Sequence, residues 1–256
     1  MIIIVSPSKT QHLVRPPGNQ HSHPSLMENT GTLINLLRQL DRNELANLMN
    51  ISEKLADLTY KRIHDFTIPH TAESAGIALA TFQGDAFSAM NTESYSPDDL
   101  LFAHAHLRIL SGLYGILRPL DLMQPYRLEM GAKLRSDRGK NLYEFWGSTI
   151  TESLNGDLQE MKDRVIVNCA SREYSRAVKQ NLLNAPMLTI TFKQKKNNVL
   201  KSIAIYAKRA RGMFVDYLIK KRIKDIEQLA GFDAGGYTFA ADLSTSSELV
   251  FITAVD

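Results

Sequence analysis

Leu107-Arg108-Ile109-Leu110-Ser111-Gly112-Leu113-Tyr114-Gly115-Ile116-Leu117-Arg118 sets two glycines three residues apart in an apolar stretch bracketed by arginines. Just upstream, Ser96-Pro97-Asp98-Asp99 reads as a helix start, with Ser at the cap, Pro at the first helical position and carboxylates facing the positive end of the dipole. That helix is expected to run to about Leu110, burying Leu100, Ala103, Leu107 and Leu110, with Gly112 ending it. Two readings of the turn follow. In one, Ser111, Gly112 and Gly115 offer backbone N–H groups to a phosphate oxygen, as a helix-hairpin-helix grips a DNA backbone, and Arg108 and Arg118 add charge. In the other, the turn is structural and packs Leu113 and Ile116 into the core. Pro119 disfavours an uninterrupted second helix.

Working outward, Ile2 to Val5 is a β-branched run closed by Ser6-Pro7, the pattern of a short buried strand. Arg15 to Pro24, with three prolines and a glycine, reads as a loop. Leucines at helical spacing, broken at Asp41-Arg42-Asn43 and Asn50-Ile51-Ser52, predict three short helices after Ser25. Ile77 to Phe82 reads as a strand and Asn141 to Leu154 as an amphipathic helix. Val165 to Val167 is a buried strand leading through Asn168-Cys169-Ala170-Ser171 into a helix near Arg172. Met187 to Phe192 and Val199 to Tyr206 alternate around Lys195-Lys196-Asn197-Asn198, an antiparallel hairpin. Lys208 to Ile223 reads as a helix, with Tyr237 to Phe239 and Glu248 to Ile252 as late strands. With no repeat and no long linker, residues 1–256 are expected to form a single mixed α/β (α+β) domain.

Composition narrows the class. Hydrophobic residues make up 44% and charged ones 22%, enough for a core and unlike a disordered chain. The opening apolar run, Met1 to Val5, is too short for a signal-peptide core or a bilayer span, so no membrane association is expected. Cys169 is the only cysteine. It excludes an internal disulfide and a Cys-only zinc site, and fits a reducing cytoplasm.

Charge is distributed unevenly. Lys193 to Lys224 holds eleven basic residues against Asp216 alone, a formal +10 in a chain of net +3, which leaves the remainder at −7. Gathered on one face, that segment would attract polyanions. Lys208-Arg209-Ala210-Arg211-Gly212 is its densest part, with guanidinium forks and ammonium point charges suited to phosphate. Cations near a helix start also oppose its dipole, which points to an external anion. A solvated helix face is the bland alternative.

Ser6-Pro7-Ser8-Lys9-Thr10 lacks the glycines of a P-loop, and prolines and a glycine follow it where a penicillin-binding nucleophile would open a helix. What remains is a lysine and hydroxyls at a sheet edge. His21-x-His23 lies in a loop, and His104-x-His106 on a helix points two ways, so neither pair makes a metal site. No catalytic residue pair and no cofactor pattern emerges. A phosphate pocket for an enzyme acting on a nucleotide or phosphorylated small molecule would draw on Lys9, Arg127 and the helix start at Ser171.

The longer stretch Leu110 to Gly131, running through Arg118-Pro119-Leu120-Asp121-Leu122-Met123-Gln124-Pro125-Tyr126-Arg127-Leu128-Glu129, resembles the signature of the YaaA peroxide-stress family. Supporting matches are Ser6-Pro7-Ser8-Lys9-Thr10, Asn141-Leu142-Tyr143-Glu144-Phe145-Trp146-Gly147, Ala170-Ser171-Arg172-Glu173-Tyr174, Ala207-Lys208-Arg209-Ala210-Arg211-Gly212 and Gly236-Tyr237. The resemblance implies a cytoplasmic protein of peroxide stress that limits free intracellular iron. It further implies an unusual fold with a helix-hairpin-helix-like element and a positive cleft that binds DNA. The basic segment, with no aromatic-rich base-stacking motif and no recognition helix, points to duplex or distorted DNA held by its phosphates, largely without regard to sequence. One departure is the C-terminus, where Ile252 and Thr253 follow Phe251 and the arginine of the family pattern is missing.

Overall fold

The Ile2-Ile3-Ile4-Val5 run forms the central strand, β1 (Ile2–Val5), with all four side chains buried. The architecture is that of a computed structural model describing residues 1–16, 20–197 and 199–254, with the side chain of Lys196 outside the description. Thus Pro17, Gly18 and Asn19 of the expected loop, and Asn198 of the expected hairpin turn, lie outside the described residues.

Beside β1 run β2 (Leu107–Ser111) on one side and β4 (Ile166–Asn168) on the other, both parallel to it. The antiparallel strand β3 (Gly115–Leu117) closes the first edge. Beyond β4 lie β5 (Met187–Lys196), with the short antiparallel β6 (Val199–Lys201) beside it, then β8 (Glu248–Ala254) and finally β7 (Thr238–Phe239). Five strands, β8-β5-β4-β1-β2, are therefore mutually parallel in one eight-stranded sheet. The three predicted helices are α1 (Met27–Leu37), α2 (Arg42–Met49) and α3 (Glu53–His64). They are followed by α4 (Asp85–Ala89), α5 (Pro97–His106), α6 (Leu142–Trp146), α7 (Thr149–Gln159), α8 (Arg172–Ser175) and α9 (Ala204–Lys220). The chain is a mixed α/β fold around one core.

Several expectations are corrected. The helix begun by Ser96, whose side chain accepts from the Asp99 N–H, ends at His106, and Leu107 turns extended. Leu107–Ser111 instead takes the place beside β1, with Ile3, Ile4 and Val5 registered against Leu107, Arg108 and Ile109, and all five residues buried. A short apolar run fits helix or strand alike, and the vacancy beside β1 decides it. The Gly112–Gly115 turn thus joins two strands, and the helix-hairpin-helix reading of this segment fails. Ile77 to Phe82 is mostly a helical turn, Ala78–Thr81, between two-residue strands. The Asn141–Leu154 helix breaks after Trp146 at Gly147, which has φ +51°. The second hairpin arm stops at Lys201 because α9 already begins at Ala204.

Candidate functional site

In an open parallel sheet, ligands bind outside the carboxyl ends of the strands where the connections diverge. Here the chain leaves β1 toward β2 on one side and leaves β4 toward β5 on the other, so the switch lies between β1 and β4. A cavity of about 400 Å3 opens at that point, lined by the segment after β1 (Ser6 to Gln11) and by Cys169, Ser171 and Glu173 after β4. That volume falls within the ordinary range of small-molecule sites, about 300–1,000 Å3.

Local hydrogen bonds fix its walls. Ser6 Oγ accepts the Ser171 N–H at 2.8 Å and lies 3.2 Å from Ser171 Oγ, joining the two strand-end loops. Gln11 Oε1 accepts the Tyr126 N–H at 2.8 Å, anchoring the segment Tyr126-Arg127-Leu128-Glu129 that forms a third wall. That segment comes close only because residue 112 lacks a side chain: a Cβ there would sit 2.2 Å from the Leu128 carbonyl oxygen. The fourth wall is α4 with Phe87 and Met90, against which α9 packs through Gly212, where a Cβ would meet the Ala86 oxygen at 2.0 Å. This close contact brings Lys208 and Arg211 to the cavity.

Four cations from three segments therefore converge, Lys9, Arg127, Lys208 and Arg211, together with the carboxylates of Asp85, Glu129 and Glu173. Lys9 Nζ lies 2.8 Å from Glu129 and Arg127 lies 3.6 Å from the other Glu129 oxygen. Glu173 Oε1 accepts the Gly131 N–H at 3.0 Å. Among the described residues neither Lys208 nor Arg211 has an ion-pair partner. The buried Nε–H groups of Arg127 and Arg211 have no hydrogen-bond acceptor there either. Burial lowers the proton affinity of Arg211, and the neighbouring Cys169 thiol is pushed up to about 12 by its own burial. Tyr126, raised by burial, hydrogen-bonds Ser111 Oγ at 2.6 Å.

Of the residues nominated from sequence, Lys9, Arg127, Lys208 and Arg211 meet in this cavity, and Ser111, Gly112, Gly115, Arg108, Arg118 and Arg209 do not line it. Ser111, Gly112 and Gly115 are buried; Gly115, at φ +71°, abuts the Trp146 ring, whose Nε1–H donates to the Gly112 oxygen at 3.1 Å. No phosphate reaches such a turn. Arg108 donates to Asp157 Oδ2 at 2.6 Å and Arg118 to Asp157 Oδ1 at 2.7 Å. Burial opposes the charge of Asp157, yet the bonds and charge of Arg108 and Arg118 hold its carboxyl below the usual range. Arg209 is exposed on α9. The Ser171 N–H, nominated as an anion donor, is taken by Ser6.

The basic segment divides along α9. Lys193 and Lys195 lie on the part of β5 that overhangs the end of β4, where Asn168 pairs with Thr189, and Lys201 lies on β6. At the far end of α9, Lys220 and Arg222 each lie 3.3 Å from Asp99. Two of the nominated histidines bond the backbone: His106 Nδ1 lies 2.8 Å from the Met1 oxygen, and His104 Nδ1 accepts the Leu120 N–H at 3.4 Å. No described helix is long and apolar enough to cross a membrane. Sequence reasoning missed the α4 wall and Gln11.

A family model described as peroxide stress protein YaaA matches residues 1–243. A UPF0246 protein of Acaryochloris marina is 49% identical over 251 residues, covering 98% of this chain and 99% of the relative.

Proposed function

The chain belongs to the YaaA peroxide stress family, and on that premise we propose that it binds phosphate-bearing ligands, DNA foremost, at the carboxyl edge of its sheet. The observation that carries this reading is Arg211: a half-buried side chain in the cavity wall whose buried Nε–H has no acceptor and which has no ion-pair partner among the described residues. A buried charge lacking its partner is unfavourable by several kcal/mol, and an anion in the cavity relieves that. Exposed Lys195, Lys201, Lys208 and Arg209 at the same edge, unpaired among the described residues, suit the backbone of a polyanion better than a particular base sequence. In this reading the limiting of free intracellular iron is a downstream effect of that binding.

The test is fluorescence anisotropy of labelled duplex at several salt concentrations. Lys208→Glu with Arg209→Glu, both exposed, is expected to weaken binding at least tenfold on any sequence. The log–log salt slope should flatten by about 0.9 for each lost contact. Unchanged affinity and slope in the folded variant would overturn the DNA reading.

A second reading, an enzyme acting on a nucleotide or another phosphorylated small molecule, is favoured by the carboxylates. Asp85, Glu129 and Glu173 line the same cavity as the cations, and a passive phosphate grip gains nothing from negative charge nearby. A melting screen against nucleotides tests it, since a specific ligand at 100 times its Kd adds about 2.7 kcal/mol. A flat panel counts against it.

A further inference from the structure

The cavity's charge pattern specifies more than phosphate in general. Lys9 and Arg127 share Glu129. Lys208 and Arg211 are the two lining cations without a carboxylate among the described residues. A phosphomonoester carries about −1.5 to −2 charges at pH 7, with a second pKa near 6, which two free cations match. A triphosphate brings more charge than they can meet, into a space that also holds three carboxylates. The remaining wall is apolar: Val5, Phe87, Met90, Tyr126 and Leu128 line it and are buried. Pockets of this build hold a flat ring against the apolar side and fix it by a few polar groups.

Deepening the phosphate reading of the cleft, we propose that this cavity is a site for the monophosphate of a nucleotide, its phosphate on Arg211 and Lys208 and its ring system against Phe87, Met90 and Tyr126. Two sources present that chemistry, a free nucleoside monophosphate and the 5′-phosphorylated end of a DNA strand. The volume of about 400 Å3 admits one such unit and excludes a duplex.

Calorimetric titration of the full chain with deoxyadenosine 5′-monophosphate, deoxyadenosine, the triphosphate and inorganic phosphate tests the site. The monophosphate is expected to bind at least tenfold tighter than the nucleoside, tighter than the triphosphate, and to weaken as pH falls through about 6 and the dianion takes up a proton. Arg211→Met should cost at least tenfold in affinity, and Lys208→Met serves if that variant does not fold; Arg118→Met, at the Asp157 pair away from the cavity, should change nothing. Competition by the free monophosphate or by a 5′-phosphorylated oligonucleotide, and not by its unphosphorylated twin, supports the site and identifies the source. Equal binding of nucleoside and monophosphate overturns it. So does unaltered affinity in the folded Arg211→Met or Lys208→Met variant, or no binding of any of the phosphates at millimolar concentration. If monoesters fail while unphosphorylated duplex still binds and responds to Lys208→Glu and Arg209→Glu, this site falls and the DNA reading stands; monoester binding without duplex binding gives the reverse.

Discussion

Two pairs of arginines, alike in sequence, have opposite surroundings. Arg108 and Arg118 both donate to Asp157, one side chain 4% exposed and the other 48%. Arg127 and Arg211 reach a cavity from different segments, and in each the buried Nε–H finds no acceptor among the described residues. Guanidinium chemistry is the same in both pairs. What differs is how far the fold supplies a carboxylate: for the first pair it comes from α7, 49 and 39 residues away, whereas Arg127 shares Glu129 with Lys9 and Arg211 has none among the described residues. A paired arginine holds structure together, whereas an unpaired one in a cavity wall leaves a charge for a ligand to meet.

Removing the carboxylate should break the contrast most severely. Asp157→Ala leaves the Arg108 charge buried and uncompensated, and breaking a buried pair in this way costs about 3–5 kcal/mol. For a chain of this size each kcal/mol moves Tm by about 2–4 °C, so thermal melting should show a drop on the order of 10 °C. Arg118→Ala, at an exposed side chain, should cost less than about 1 kcal/mol. The pH dependence has a definite sign. Because the folded carboxyl is held below its unfolded value, near 3.9, the contribution of Asp157 is present above that pH and is lost as pH falls through the lower folded value. Acid melts of Asp157→Asn should lack that loss; wild-type-like stability of Asp157→Ala would dissolve the distinction between the pairs.

The glycine nominated for phosphate contact gives the next effect. Gly112→Val places a side chain where a Cβ already lies 2.2 Å from the Leu128 oxygen. Overpacking of this kind is destabilising by about 1–3 kcal/mol. It also displaces the segment carrying Arg127, so ligand affinity should fall together with Tm. Loss of binding at unchanged Tm would instead return Gly112 to a direct role.

Arg211, without an ion-pair partner among the described residues, should behave in the opposite sense from Arg108. An uncompensated, partly buried charge is itself unfavourable, so replacing it by an apolar side chain of similar length removes a cost and no attraction. Arg211→Met is therefore expected to leave unfolding by urea within about 1 kcal/mol of wild type, or to raise stability. A loss as large as that of Asp157→Ala would mean that Arg211 is held by a partner within the protein.

How much of this was legible in the sequence follows from the same distinction. The β-branched run at Ile2, the capped start at Ser96 and the leucine spacing of α1 and α2 each carry a local signal, and each formed as read; α3 formed as well, but buries Ala56, Thr59 and Ile63 and leaves Leu55 and Leu58 exposed. Leu107–Ser111 carried none that separates helix from strand, since its conformation is imposed by the place beside β1, over a hundred residues away. Lys9, Arg127 and Ser171 could be named as a possible pocket from their residue types. That Lys208 and Arg211 join them depends on a backbone contact between Gly212 and Ala86, and that Arg108 and Arg118 do not depends on Asp157. Pairings at such sequence separation leave no mark on the residues that make them. The family resemblance filled part of that gap, because motifs scattered from Ser6 to Arg211 meet around one cavity.

The smallest expected effect concerns Cys169, which lines the same cavity and feels Arg211. A guanidinium near a thiol ordinarily stabilises the thiolate and makes a cysteine reactive. Here burial dominates and the thiol is pushed up to about 12. At pH 8 roughly one molecule in ten thousand would then carry thiolate, against about a quarter of free cysteine with its pKa near 8.5. The more basic thiolate is a better nucleophile, which offsets part of that difference, and its 2% exposure restricts access further. Alkylation of the native protein with iodoacetamide, followed by mass spectrometry, should thus be at least tenfold slower than for free cysteine, and Cys169→Ala should leave ligand affinity and Tm nearly unchanged. Labelling at the rate of a free thiol would mean that Arg211 already has a thiolate as its counter-ion. The guanidinium would then be paired within the protein, like Arg108, and the anion reading of the cavity would lose the observation that carries it.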